Sequence, residues 1–185
     1  MSEDKEIRVD DASPLLDRQG MFHKRFPSDF RQIRYFTLLV VQKAPPQIKE
    51  INLLEQQVSE LIKNAVKHGN RGDRSKHIDV WYLFTEESAR IIVKDQGKGF
   101  SRIEEWNEFN RRRTECFQNQ DFDQMEKYVS FITEDSDEND AGNALFAALE
   151  YWDQGVVFDG KRNSIGVAKH FPKRRYSINL EDHGS

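Results

Sequence analysis

Apolar residues recur at helical spacing in two long segments of the first half of the chain. The first segment follows the helix-start signal at residues 27–29 and ends at Pro45–Pro46; its repeat is Phe30, Ile33, Phe36, Thr37, Val40 and Val41. The second runs from about Gln47 to His68, with an apolar stripe of Leu54, Val58, Leu61, Ile62 and Ala65. Gly69 follows where a helix C-terminal stop is expected. The pattern therefore predicts two amphipathic helices separated by a proline turn.

Segments with the composition of β-strands lie on both sides of these helices. They are Met21–Phe26, His77–Phe84, Ala89–Lys94, Val156–Phe158 and Ser164–Phe171. Short turn segments separate the second from the third and the fourth from the fifth, so each pair is predicted to form a hairpin. We therefore expect an α/β two-layer sandwich, an α+β arrangement in which a mixed or antiparallel sheet carries its helices on one face.

The domain organisation is predicted as one domain with an insertion and polar ends. Residues 1–20 are expected to form a flexible arm, residues 21–171 the domain, and residues 172–185 a tail that is basic and then polar. Within the domain, residues 101–140 form a distinct insertion, in which weak patterns predict two helices, Ile103–Phe117 and Phe122–Ile132. A further helix is predicted from Gly142 to Trp152.

Charge and cysteine content exclude some classes of protein. The net charge of the 185-residue chain is -4, and residues 101–141 hold twelve acidic against five basic residues. A nucleic-acid binder would show a concentrated basic face, so none is expected as a partner. Cys116 is the only cysteine, which excludes a disulfide framework. The polar N-terminus is unlike a signal peptide and no apolar run is long enough to span a membrane, so we expect a cytoplasmic protein without membrane contact.

Two polar residues of the second helix are candidates for phosphate chemistry. Glu60 and Asn64 are separated by four positions and share one helix face. Asn64 offers a neutral oxygen to Mg²⁺, which commonly takes one or two protein oxygens besides water and phosphate. Glu60 is placed to orient or deprotonate a nucleophile near a terminal phosphate. Taken alone, such a pair is more often an ordinary solvated helix face.

The sequence Asp-Gln-Gly-Lys-Gly-Phe at residues 95–100 is a candidate for base recognition. Asp95 follows an apolar strand, where its carboxylate can accept a hydrogen bond from the exocyclic amine of adenine. Gly97 and Gly99 remove side chains where a base must approach the backbone, and Phe100 can pack beneath the turn. Such a turn is common in loops. The occurrence of both half-motifs, in this order and separated by one hairpin, favours a split nucleotide site.

These two segments resemble the motifs of a known superfamily. The sequence Glu-Leu-Ile-Lys-Asn-Ala-Val-Lys-His-Gly at residues 60–69 resembles the asparagine box of the GHKL ATPases, and residues 95–100 resemble their first glycine box. The layout of residues 21–100 is similar to that of the anti-sigma factor serine/threonine kinases. The resemblance implies the Bergerat ATP-binding fold with an enlarged lid insertion at residues 101–140.

The resemblance also implies a reaction and partners. ATP and Mg²⁺ would be the cofactors, with Glu60 as catalytic base and Asn64 as metal ligand. The nucleotide-binding set would be Asn64, Lys67, His68, Asp95, Gly97, Gly99, Phe100, Gly142, Asn143 and Ala144. The protein would form a homodimer, hold a sigma factor inactive and phosphorylate a small anti-anti-sigma protein of the STAS type.

The third motif departs from the family pattern and leaves alternatives open. Its best match is Ala141–Gly142–Asn143–Ala144–Leu145–Phe146, with Ala144 where the family has glycine. The first hypothesis is a regulatory Ser/Thr protein kinase in a partner-switching pathway that controls transcription. The second is a catalytically weak or inactive interaction module that binds partners through its acidic insert. A detached catalytic domain of a histidine kinase ranks last, because those domains usually follow a phospho-accepting helical hairpin, for which we expect no room here.

Overall fold

A six-stranded mixed sheet organises the protein in the computed structural model, which describes residues 5–129, 131 and 143–172. The strand order across the sheet is β1-β5-β6-β4-β3-β2. The strands are β1 (Ile7–Val9), β2 (Phe22–Pro27), β3 (His77–Phe84), β4 (Ser88–Lys94), β5 (Gly155–Phe158) and β6 (Ser164–His170). The β1–β5 pair is parallel, and all the other pairs are antiparallel. The predicted fold class and both hairpins are confirmed.

The helices form the second layer. They are α1 (Ile33–Val41), α2 (Ile51–Asn64), α3 (Ile103–Gln118), α4 (Phe122–Met125) and α5 (Asn143–Tyr151). Alternate residues of β3, such as Ile78, Val80 and Tyr82, are buried with apolar residues of α1 and α2 in one core. Such alternation is what a sheet with one helix-covered face requires. Helix α1 begins later than the apolar repeat, which starts at Phe30, because a 3-10 turn (Phe30–Gln32) precedes the helix. The Asp29 carboxylate caps this turn.

The N-terminal segment differs from the flexible arm that we expected. Among its described residues, Ile7–Val9 form the edge strand β1, and Ile7 is buried in the core. The following residues cross the sheet on the face opposite the helices, where Arg90 donates hydrogen bonds to the carbonyl oxygens of Pro14 and Asp17, both at 2.9 Å. Gly166 permits this crossing, because a Cβ there would lie 2.5 Å from the Leu15 oxygen. The prediction of a loose arm is therefore wrong for residues 5–20.

The insertion contacts this N-terminal segment directly. Asn107 on α3 accepts a hydrogen bond from the Ile7 N–H (2.9 Å) and donates one to the Ile7 oxygen (2.8 Å). Asn110, one turn later, donates to the Lys5 oxygen (3.0 Å). Both backbone groups of Ile7 that point away from β5 are thus satisfied by a side chain. The second predicted helix of the insertion, Phe122–Ile132, is shorter in the structure, where α4 and a 3-10 turn end at Tyr128.

No helix within the described ranges has both the length and the apolar composition that crossing a membrane requires.

Replacing Asn107 tests the link between α3 and the edge strand. Asn107→Ala should lower the free energy of unfolding by about 1–3 kcal/mol, because it removes two hydrogen bonds from partly buried backbone groups. Urea denaturation measures this change, and amide exchange at Ile7 should accelerate. Asn110→Ala, which removes one exposed bond, is the control and should cost less than about 1 kcal/mol. Equal effects of the two substitutions would contradict this account.

Candidate functional site

The candidate catalytic pair lies on the last two turns of α2. Glu60 and Asn64 are both half-buried, whereas Leu61 and Ile62 beside them are buried in the core. The helix therefore presents the polar pair at one edge of its buried face. Lys63 lies near Glu60, with 3.5 Å between its Nζ and the Glu60 Oε2. The carboxylate is thus held by an ion pair on its own helix.

A π-helical turn, Ala65–Gly69, continues α2 beyond Asn64. It is closed by a hydrogen bond from the Asn70 N–H to the Ala65 oxygen (2.8 Å). Two of the predicted binding residues lie in this turn, Lys67 half-buried and His68 exposed. Wide turns of this kind cost helix stability and are frequent at functional sites. Here the turn places Gly69 against the glycine-rich segment at residues 95–99.

Asp95 lies directly against the end of that turn. Its N–H continues the sheet ladder by donating to the Asn163 oxygen (2.9 Å), and its Oδ1 accepts a hydrogen bond from the Gly97 N–H (2.7 Å). A Cβ on Gly69 would lie 2.3 Å from the Asp95 Cγ, and a Cβ on Gly97 would lie 2.0 Å from the Gly69 oxygen. Neither position has space for a side chain. The structure thus joins the two segments that the sequence separates by 25 residues or more.

Burial changes the acidity of Asp95. Removal of the carboxyl group from water raises its pKa to about 6. The hydrogen bond from the Gly97 N–H opposes this shift, the Asp159 carboxylate adds to it, and Lys76 opposes it weakly. A carboxyl group with this pKa is mostly ionised at neutral pH and remains poorly hydrated, so it is a strong acceptor for a ligand donor.

The second half of the glycine turn packs on the β5–β6 hairpin. Gly99 has a φ of +89°, and a Cβ there would lie 2.2 Å from the Lys161 oxygen. The Phe100 N–H donates to the Arg162 oxygen (2.9 Å), and its ring stacks on Phe158 with 5.9 Å between centroids. Arg162 in turn pairs with Glu104 at the start of α3, with 3.0 Å between Nη1 and Oε2. This contact connects the turn to the beginning of the insertion.

Two asparagines at this site were missed by the sequence analysis. Asn70 is completely buried and bonded to two other segments, although an Asn after Gly69 reads as an ordinary turn residue. Asn163 lies opposite Asp95 in the ladder, and its Oδ1 is buried without a hydrogen-bond partner among the residues that the structure describes. An unpaired buried oxygen of this kind is costly and is often completed by a ligand or water. No local sequence signal indicates either role.

Only part of the third motif, at residues 141–146, lies within the described residues. Gly142 lies outside the described residues, and nothing is described of the Asn143 side chain. Ala144 is half-buried in the first turn of α5, a helix that packs against α2 and β5. The assignment of these three residues to phosphate binding therefore stays a prediction.

Two glycine substitutions separate the effect of a steric collision at Gly99 from the effect of its positive φ. Gly99→Ala combines a positive φ with a collision, whereas Gly72→Ala has a φ of +67° and no atom within 4 Å of the new Cβ. Gly72→Ala should cost about 1 kcal/mol of unfolding free energy, and Gly99→Ala should cost at least about 2 kcal/mol more. Chemical denaturation of the two variants makes the comparison. Equal losses would contradict the close packing of this turn on Lys161.

Replacing Asp95 should stabilise the ligand-free protein at high pH. Between pH 4 and pH 6 the folded carboxyl group holds a proton that the unfolded one has released, so its contribution to stability falls as the pH rises. Asp95→Asn removes this penalty. Its melting temperature should exceed that of the wild type at pH 8, and the difference should vanish near pH 4.

Asp73→Asn is the control of opposite sign. Hydrogen bonds from Ser75 hold the pKa of the Asp73 carboxyl below its ordinary value, so the substitution should lower the melting temperature at pH 8. A lower melting temperature for Asp95→Asn at pH 8 would contradict the burial that we assign to Asp95.

Comparisons with known proteins identify the family of this chain. The chain is 32% identical over 68 residues to an anti-sigma F factor of Clostridium perfringens, a match that covers 37% of this chain and 49% of that protein. It is 28% identical over 65 residues to an anti-sigma F factor of Anoxybacillus flavithermus, covering 35% of this chain and 44% of that protein. The chain thus spans about half the length of the curated relatives that it matches. The family described as histidine kinase-like ATPase domain matches residues 26–150, which is more than half of the chain, and the protein belongs to this family.

Proposed function

We propose that this protein is an ATP-binding, anti-sigma-factor-like Ser/Thr protein kinase that acts in a partner-switching pathway controlling transcription. The family and the similarity to anti-sigma F factors support this proposal. The single observation that carries it is the close contact of Gly69 with Asp95 and Gly97. This contact brings the helix of Asn64 and the Asp95 turn together at one place.

The side of the site at Asp95 fits an adenine base. The half-buried Asp95 carboxylate offers oxygen acceptors there. The exocyclic amine of adenine has two donor hydrogens and matches such acceptors, whereas the carbonyl of guanine at the same ring position would repel them. Gly97 lets the turn approach Gly69 closely, which holds Asp95 against the end of α2. Asp95 is therefore proposed as the adenine contact.

The side at α2 is proposed to face the phosphates. Asn64 precedes Gly69 by five residues, which is roughly 7 Å along a helix axis. This separation suits a nucleotide that extends from its base at Asp95 toward Asn64. The Asn64 side-chain oxygen would be the single protein ligand of Mg²⁺, and Lys67, on the next turn, would attract phosphate charge.

Glu60 is proposed as the catalytic base. When bound, ATP supplies the phosphoryl group for transfer. The Glu60 carboxylate, positioned by Lys63, would accept the proton of a Ser or Thr hydroxyl on the protein substrate while that oxygen attacks the γ-phosphorus and ADP departs as the leaving group. General-base assistance of this kind contributes about 10²–10⁴-fold to the rate.

We further propose a homodimer, a sigma factor and a STAS-type anti-anti-sigma protein as the partners. The strand β2 is one edge of the sheet, with Phe22 half exposed at its beginning. On the neighbouring helix α1, Tyr35 and Leu38 are 58% and 44% exposed and line an apolar groove of about 510 Å³. An unpaired edge strand beside exposed apolar residues is a typical protein-binding surface.

A second candidate function is a non-catalytic module that binds regulatory partners through its insert. One observation favours it: Phe117, Phe122 and Val129, all on the insert, are 64%, 70% and 65% exposed. The insert also carries a negative net charge. Exposed apolar residues within an acidic segment favour docking of a basic partner with apolar side chains.

Phosphotransfer separates the two functions. The wild-type protein with Mg²⁺ and γ-labelled ATP should transfer label to an anti-anti-sigma protein of the STAS type. Glu60→Gln should reduce this rate at least about 10²-fold while leaving ATP affinity within about twofold, because it removes the base and not the nucleotide contacts. Glu55→Gln, on the same helix, is the matched control and should behave as the wild type.

Calorimetry with Mg-ATP supplies the outcomes that decide between the functions. Binding without transfer, for the wild type and Glu60→Gln alike, would favour the non-catalytic module. Absence of heat and of any thermal shift at millimolar ATP would contradict the proposed nucleotide site itself.

A further inference from the structure

We propose that Asn70 is the positioning residue of this site: its side chain fixes the Asp95 turn against the end of α2 and so presents the carboxylate to the base. The identity of the ligand rests on the function proposed above. The positioning itself is a property of the ligand-free chain and can be tested without a nucleotide.

The side chain of Asn70 joins three segments. It has no exposed surface, its Nδ2 donates to the His77 oxygen at the start of β3 (2.9 Å), and its Oδ1 accepts from the Gln96 N–H (2.7 Å). Its own N–H donates to the Ala65 oxygen and closes the π-helical turn. One buried residue therefore links the end of the α2 helix, the first residue of β3 and the glycine turn.

These bonds determine where Asp95 lies. Gly69 directly precedes Asn70, and Asp95 directly precedes Gln96. The bond between Asn70 and the Gln96 N–H therefore draws Gly69 and Asp95 side by side, where a Cβ on Gly69 would be 2.3 Å from either Cγ or Oδ2 of Asp95. The same contact shields the Asp95 carboxyl group from water.

The chemistry of the position requires an asparagine. The His77 oxygen needs a donor and the Gln96 N–H needs an acceptor, and only an amide offers both groups at this length of side chain. Aspartate would keep the acceptor but place a carboxylate oxygen against the His77 oxygen. Alanine would leave two partly buried backbone groups without these bonds. Gln96 adds a parallel bond, from the His77 N–H to its Oε1 (2.8 Å), but its side chain is exposed and cannot exclude water.

The first measurement is the pKa of Asp95 in the ligand-free protein, by NMR titration of its carboxyl carbon. In the wild type we expect a value of about 6. In Asn70→Ala the turn loosens and Asp95 is rehydrated, so its pKa should fall by at least about one unit. The other charged groups that act on Asp95, namely Asp159 and Lys76, are unchanged by the substitution.

The second measurement is amide exchange at Gln96. The wild-type amide should be protected although the Gln96 side chain is exposed, and its exchange should accelerate at least about tenfold in Asn70→Ala. Asn70→Asp keeps the acceptor and should show an intermediate rate. The protection in the wild type needs no variant, so it remains decisive if the substitutions prevent folding: an unprotected Gln96 amide would overturn the proposal.

The control variant Thr37→Val distinguishes a general loss of stability from a loss of the positioning of Asp95. Thr37 is buried in α1 and donates to the Ile33 oxygen (2.8 Å), away from the Asp95 turn. This variant should melt at a lower temperature with the Asp95 pKa and Gln96 exchange unchanged. A folded Asn70→Ala protein that behaves in the same way would overturn the proposal.

ATP affinity gives the functional readout. Asn70→Ala should raise the ATP dissociation constant at least about tenfold, whereas Thr37→Val should leave it unchanged well below the melting temperature. If the wild type does not bind ATP, the proposed function fails, while the pKa and exchange results still decide the role of Asn70. If the wild type binds ATP and Asn70→Ala binds it equally well, the positioning role fails and the proposed function stands.

Discussion

The contact between Gly69 and the Asp95 turn is the constraint on which the rest of the site depends. A Cβ on either Gly69 or Gly97 would lie within 2.3 Å of the opposing segment. The segments that follow α2 and β4 can approach this closely only because Gly69 and Gly97 have no side chains. The approach buries the Asp95 carboxyl group and raises its pKa. The proposed contact of Asp95 with a base depends on this backbone geometry.

Much of this arrangement could be predicted from the sequence because the signals are local. The apolar stripe of α2 predicted the helix and the face on which Glu60 and Asn64 lie. The two turn segments predicted both hairpins. The order of the two motifs, separated by one hairpin, favoured a shared site, but it did not predict how closely Gly69 approaches Asp95.

The parts that could not be predicted depend on contacts between distant residues. The strand β1 has three residues, and its partner β5 lies about 150 positions later, so no periodicity marks it. Asn70 looks like a turn residue, and only the folded chain shows that its side chain is buried between His77 and Gln96. Asn163 becomes part of the site through the β4–β6 ladder. Composition also could not show that the second helical pattern of the insert ends early, at Tyr128.

The most direct test is to map nucleotide binding residue by residue with ¹⁵N-labelled protein and a non-hydrolysable Mg-ATP analogue. If the contact between α2 and the Asp95 turn forms the site, the largest amide shift changes should occur at Gly69, Asp95 and Gly97, with smaller changes near Asn64. Shift changes confined to another surface, such as the apolar groove at Tyr35 and Leu38 on α1, with no response at Gly69 or Gly97, would contradict the account.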